Sequence, residues 1–165
     1  MNSVGFTLDT TVWCNSCYRS IINLVENNLN FMTDSFNSDI LGFVLNSAKA
    51  SKLEGKHKVI EVVFGGLLEK DRNKFVRIKC GYNQKFLVAN KNNGLLYYNE
   101  NDDISLVNAS ELQIGTRLIA DDANIVVKEI NFIDKEQELY SVTVEDETNF
   151  SIGLGVIVEG ISERV

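Results

Sequence analysis

Residues 139–160 read LYSVTVEDETNFSIGLGVIVEG. The stretch divides into a β-branched and aromatic run, an acidic turn at Glu145, Asp146 and Glu147, a second short run around Phe150, and a run of Val and Ile. Alternation of this kind between turn residues predicts two strands and a closing third. The same rhythm occurs once before. FVRIKCGYNQKFLV at 75–88 lines up with LYSVTVEDETNFSI at 139–152, which matches Phe86 with Phe150. KVIEVVF at 58–64 lines up with VVKEINF at 126–132, which matches Phe64 with Phe132. A repeat of this length predicts a duplicated unit whose halves share one core across a pseudo-two-fold axis.

Outward from the repeat, KFLVAN, GLLYYN, TRLIA and GVIV add further short strands between Gly, Asn and Asp turns. FTLDTTVW at 6–13 reads as extended chain, and YRSIINLVENNL at 18–29 has the apolar spacing of one short helix. DSFNSDILGFVLNS at 34–47 reads as a second helix or a strand, and ASKLEGKHK at 50–58 as a polar loop entering a strand, with His57 exposed in it. The expected architecture is mostly β with one or two short helices.

Composition narrows the function. The chain has 165 residues, 44% of them hydrophobic, enough for one domain with a real core. Its net charge is −7 and its Lys and Arg residues are scattered, so no nucleic-acid partner is expected. No apolar run is long enough to span a bilayer, and MNSVGFTLDTT lacks the features of a signal peptide, so no membrane partner is expected. Three cysteines, Cys14, Cys17 and Cys80, fit a reducing, cytoplasmic setting without a disulfide framework. The expectation is a monomer with no cofactor and no metal, because Cys80 and His57 lack metal-ligand spacing and the acidic turn does not converge on a point. The Asn- and Lys-rich, Pro-free composition suits an AT-rich genome, phage or viral.

Four blocks carry a resemblance: GFTLDTTV (5–12), IKCGYNQKFLV (78–88), VNASELQIGTRLIA (107–120) and the opening stretch. In that order and spacing they resemble an intein, or more broadly the Hint fold that inteins share with hedgehog autoprocessing domains. Residues 18–70 match least, and no homing-endonuclease domain is inserted, so the resemblance is to a mini-intein. It implies a horseshoe-shaped β fold of residues 5–160 with its ends brought together near the centre. It also implies that residues 1–4 and 161–165 are stubs of a host protein acting as partner in cis.

The resemblance further implies which positions carry chemistry. Splicing starts with a thiol or hydroxyl at the first position, and Gly5 stands there. The Thr and His that polarise the first scissile bond align with Gly81 and Gln84. A glutamine can hydrogen-bond, but it cannot shuttle a proton near neutral pH. An assisting Asp and His align with Ser141 and Thr148. The terminal His-Asn pair aligns with Glu159 and Gly160, and the acceptor residue with Ile161. The expectation is therefore a domain that keeps the fold and lacks the splicing chemistry, and so is not an enzyme.

Three alternatives remain. Ser3 or Cys14 could serve as nucleophile and Ser162 as acceptor in an active, non-standard intein. WCNSC at 13–17 matches a thioredoxin-like Cys-x-x-Cys redox motif, provided a helix starts directly after it. A plain β-rich binding module is the third.

Overall fold

The computed structural model describes residues 3–66, 75–89, 104–120 and 125–161. Among the described residues, eleven strands and one α-helix follow in the order β1 (Thr11–Cys14), β2 (Cys17–Ser20), α1 (Ile21–Glu26), β3 (Asn30–Asn37), β4 (Gly42–Gly66), β5 (Phe75–Gly81), β6 (Lys85–Ala89), β7 (Ile104–Asn108), β8 (Arg117–Leu118), β9 (Ile125–Val144), β10 (Asn149–Ser151) and β11 (Ile157–Glu159). The expected mostly-β architecture is observed. β1 and β2 form a separate hairpin. The other nine strands share one sheet in the path β10-β11-β6-β8-β9-β4-β3, with β5 on β4 and β7 on β6. Among the described residues, no helix is long and apolar enough to cross a membrane.

The two long strands β4 and β9 form the spine. They pair antiparallel from Ala48↔Val144 to Gly66↔Ile125. Two features read differently in sequence. Residues 50–58 are not a loop but the middle of β4. Their polar side chains form the solvent face of a ribbon, where Lys52 pairs with Glu138 and Lys58 Nζ lies 2.9 Å from an Asp134 carboxylate oxygen. Opposite charges on facing strands favour this pairing. Gly55, at φ +81°, takes up the irregularity between Lys52 and Lys56. His57 lies within this strand, with a ring nitrogen 3.2 Å from the Glu54 carbonyl. Likewise, IVVKEINF and LYSVTV are parts of one strand, β9.

The helix is shorter than the apolar spacing suggests, because residues 17–20 are taken by β2. Residues 34–47 form a hairpin rather than a second helix. Its turn is set by Asn37 Oδ1, which accepts from the amides of Asp39 and Ile40, and by Leu41 at φ 51°. GLLYYN lies outside the described residues.

The sheet closes on itself through side chains. Asn149 at the start of β10 acts like a peptide unit toward β3: its Oδ1 accepts from the Phe36 amide at 2.7 Å, and its Nδ2 donates to the Phe36 carbonyl at 3.1 Å. Ser35 Oγ donates to the Asn149 carbonyl at 2.7 Å, and Ser151 Oγ donates to the Asp34 carbonyl at 2.8 Å. Two sheet edges are thereby joined rather than left open.

The core centres on Phe6, which is fully buried. Its ring stands edge-on to Phe86 at 6.4 Å and to Phe150 at 6.1 Å, between centroids. The repeat's Phe86 and Phe150 thus make matching edge-on contacts with Phe6. The second match fails in environment: Phe64 is 0% exposed and Phe132 is 61% exposed, where its ring meets Tyr82 edge-on. The duplication governs the central pair but not the outer end of the spine. Truncation of Phe6 removes the contact that both halves share. Phe6→Ala is expected to cost about 3–5 kcal/mol in chemical denaturation.

Candidate functional site

Both ends of the described chain run onto β9. Phe6 exchanges two backbone hydrogen bonds with Tyr140, at 2.7 and 2.8 Å. Ile161 pairs beside Thr143, and its amide donates to the Val142 carbonyl at 3.0 Å. The N-terminal end also pairs with the last residues of β5, where the Thr7 amide donates to the Lys79 carbonyl and the Gly81 amide to the Gly5 carbonyl. The expected approach of residues 4–5 to 160–161 follows from these pairings.

Gln84 joins the ends. It is 1% exposed. Its Oε1 accepts from the Gly5 amide at 2.8 Å, and its Nε2 donates to the Glu159 carbonyl at 2.7 Å and to the Lys85 carbonyl at 3.0 Å. One carboxamide therefore holds the amide of the Val4–Gly5 peptide bond and the carbonyl of the Glu159–Gly160 bond. A neutral primary amide offers a donor and an acceptor together, which is what two opposed backbone groups require. A cleft of about 340 Å³ opens beside it, lined in part by Val4, Asn83, Glu159 and Gly160. Glu159 Oε2 is buried there without a partner among the described residues.

The three glycines at aligned positions are each held against backbone. A Cβ on Gly81 would lie 2.1 Å from the Ser3 carbonyl oxygen, and one on Gly160 would lie 2.2 Å from the Val142 carbonyl oxygen. Gly5 has φ +101° and its Cβ would meet the Tyr140 carbonyl oxygen at 2.8 Å. An L side chain does not fit at these places without moving the chain. Of the other aligned residues, Ser141 is buried on β9, and the Thr148 carbonyl accepts from the Gly160 amide at 2.6 Å. Gly5, Gly81, Gln84, Glu159 and Gly160 come together. Ser141 and Thr148 stand behind them on the strand and turn that receive the C-terminal end.

Asn83 was missed in the sequence. Its Oδ1 accepts from the Ser3 amide at 3.1 Å, and its own amide donates to the Ser3 carbonyl at 2.8 Å. An Asn in a turn reads as turn chemistry, so nothing in the sequence set it apart.

The thiols lie elsewhere. Cys14 and Cys17 face each other across a two-residue turn in which Asn15 and Ser16 both have positive φ. The helix begins at Ile21, not directly after the motif, so the motif does not sit at a helix N-terminus. Cys14 is buried and its thiol is pushed up, chiefly by desolvation. Cys17 is exposed and its Sγ donates to the Cys14 carbonyl. Burial pushes the Cys80 thiol far above its ordinary range. The condition set for a redox motif, a helix starting directly after it, is not met. Among the described residues, no group of three or more His, Cys, Asp and Glu side chains is placed to hold a metal ion.

Two outcomes are expected. Gln84→Met keeps the bulk but leaves the Gly5 amide and the Glu159 carbonyl unpaired, and lowers stability by about 2–4 kcal/mol in urea denaturation. In the native protein at pH 8, Ellman's reagent titrates one thiol quickly, Cys17. Cys14 and Cys80 react only on unfolding, since a raised thiol pKa leaves less thiolate at any given pH.

No protein-family model matches the chain, and no curated protein matches it in sequence. Solved structures do match. The DnaB intein from Synechocystis sp. PCC 6803 is 16% identical, with a TM-score of 0.70 over 96% of this chain and 99% of that one. The PabCDC21-1 intein is 17% identical, with a TM-score of 0.70 over 95% and 98%. A bacterial intein-like domain from Clostridium thermocellum is 15% identical, with a TM-score of 0.61 over 97% and 99%. The β spine, the closed sheet and the joined ends are those of the Hint fold, and the chain has the fold of the inteins.

Proposed function

We propose that the chain is an intein-like domain carried within a host protein, which holds its two flanks together in cis and does not splice them. Residues 1–4 and 161–165 belong, on this reading, to the flanks. The observation that carries it is the bridge of Gln84 between the Gly5 amide and the Glu159 carbonyl. The Gly5 amide belongs to Val4–Gly5, the first bond that splicing would have to break, and the Glu159 carbonyl lies one peptide before the second, Gly160–Ile161.

The residues around the bridge lack the means to break them. An acyl shift needs a nucleophile on residue 5, and Gly5 has none. The leaving nitrogen needs a proton, and Gln84 offers an acceptor oxygen toward the Gly5 amide rather than an acid. Release of the C-terminal flank needs a side-chain amide on residue 160, and Gly160 has none. Ser3 is no substitute nucleophile, because its hydroxyl accepts from the Tyr82 amide at 3.1 Å and faces Asn83. What the arrangement does provide is two chain ends pinned by one side chain. An insert of that shape disturbs a host loop little, since domains whose termini lie close together tolerate insertion.

The test is intact mass spectrometry of the chain placed between two folded reporter domains, followed for a day with and without a thiol reductant. One unchanged mass is expected under both conditions. A ligated reporter pair, or a fragment cut at either end, overturns the reading.

A further inference from the structure

The hydrogen bonds around Ser3 are more numerous than a passing contact between flank and domain requires. All of its polar groups are engaged. The Ser3 amide donates to Asn83 Oδ1 at 3.1 Å, and the Ser3 carbonyl accepts from the Asn83 amide at 2.8 Å. Ser3 Oγ accepts from the Tyr82 amide at 3.1 Å and lies 3.4 Å from Asn83 Oδ1. Gly81 completes the set, because the Ser3 carbonyl oxygen occupies the space a Cβ would take, at 2.1 Å.

We infer that Gly81, Tyr82 and Asn83 form a docking subsite for the chain entering the domain, selective for a hydroxyl side chain, serine or threonine, at position 3. The inference rests on the reading above in one respect, that the residues before Gly5 are flank. The contacts divide by what they can read. The two bonds between the main chain of residue 3 and Asn83 hold any residue and set its register. The Tyr82 amide reads the side chain, because only an acceptor one atom beyond Cβ reaches it. Serine and threonine carry that oxygen, and alanine, valine and glycine leave the amide unpaired. The amide of Asn83 is oriented by its partners: the Ser3 N–H needs an acceptor, so Oδ1 faces it.

The subsite also links docking to the missing chemistry. The Ser3 carbonyl and a side chain at position 81 exclude each other. The threonine that the intein resemblance expects at this position would have to displace the flank from where it now lies.

The experiment measures amide hydrogen exchange by NMR on the full 165-residue chain, at Tyr82 and, as a control within the closed sheet, at Val158 in β11. Ser3→Ala is expected to speed exchange at Tyr82 about tenfold and to leave Val158 unchanged, a local loss of protection. Ser3→Thr is expected to stay within about twofold of the parent chain at Tyr82. Asn83→Ala and Ser3→Ala combined are expected to fall short of the product of the single effects, since the two residues share contacts. Unchanged exchange at Tyr82 in Ser3→Ala, or a Thr variant that behaves like the Ala variant, overturns the subsite. So does equal acceleration at Val158, which reports general unfolding. A ligated product in the reporter experiment would remove the proposed function and leave the subsite standing. Indifference of Tyr82 to residue 3 would do the reverse.

Discussion

A buried carboxamide, that of Gln84, touches the backbone of both ends of this fold. Everything around it is arranged so that two peptide groups far apart in the chain arrive on opposite sides of one side chain. β9 receives Phe6 at Tyr140 and Ile161 at Thr143. The end of β5 receives residues 3–7 from the other side. Because Gln84 is shielded from water, its hydrogen bonds have no solvent competitor, and a neutral amide meets both groups without burying a charge.

The close approach of backbone to backbone is the second constraint. Gly5, Gly81 and Gly160 allow the entering and leaving chain to lie against Tyr140, Ser3 and Val142 at distances that no side chain permits. The same three residues are those at which the intein resemblance expects a nucleophile, a polarising hydroxyl and a cyclising amide. The lack of side chains at these positions and the tight seating of the ends are therefore one structural condition viewed from two directions. Phe6 anchors that condition in the core, where its ring stands edge-on to both Phe86 and Phe150. The seating of the N-terminal end is thus tied to the packing of the core.

Much of the fold was legible residue by residue. β-branched and aromatic runs separated by Gly, Asn and Asp turns marked most strands, and the repeat marked Phe86 and Phe150 as a pair. The errors have physical causes. Residues 50–58 look like a loop because their burial is low, yet they are a strand stabilised by cross-strand charges from residues 134–138. Residues 18–29 look like one helix because apolar spacing does not reveal that the first residues pair with β1. Phe64 and Phe132 match in sequence, but one faces the core and the other the solvent. Asn149 and Asn83 were invisible as structural residues, since asparagine in a turn needs no further explanation.

From its sequence alone, the chain determined which functional groups exist at each position. Residue 5 carries no nucleophile, residue 160 carries no amide, and residue 84 carries a group that bonds without titrating. These are properties of side-chain type, and they need no coordinates. The tertiary structure decided which of those groups meet. The contacts of Gln84 span 79 residues in one direction and 75 in the other. Such contacts depend on the register of β4 against β9 and on the side-chain hydrogen bonds that close the sheet, which join residues far apart in the chain. A glycine in a sequence is only an absence. Here the fold turns three of them into the places where the chain can touch itself.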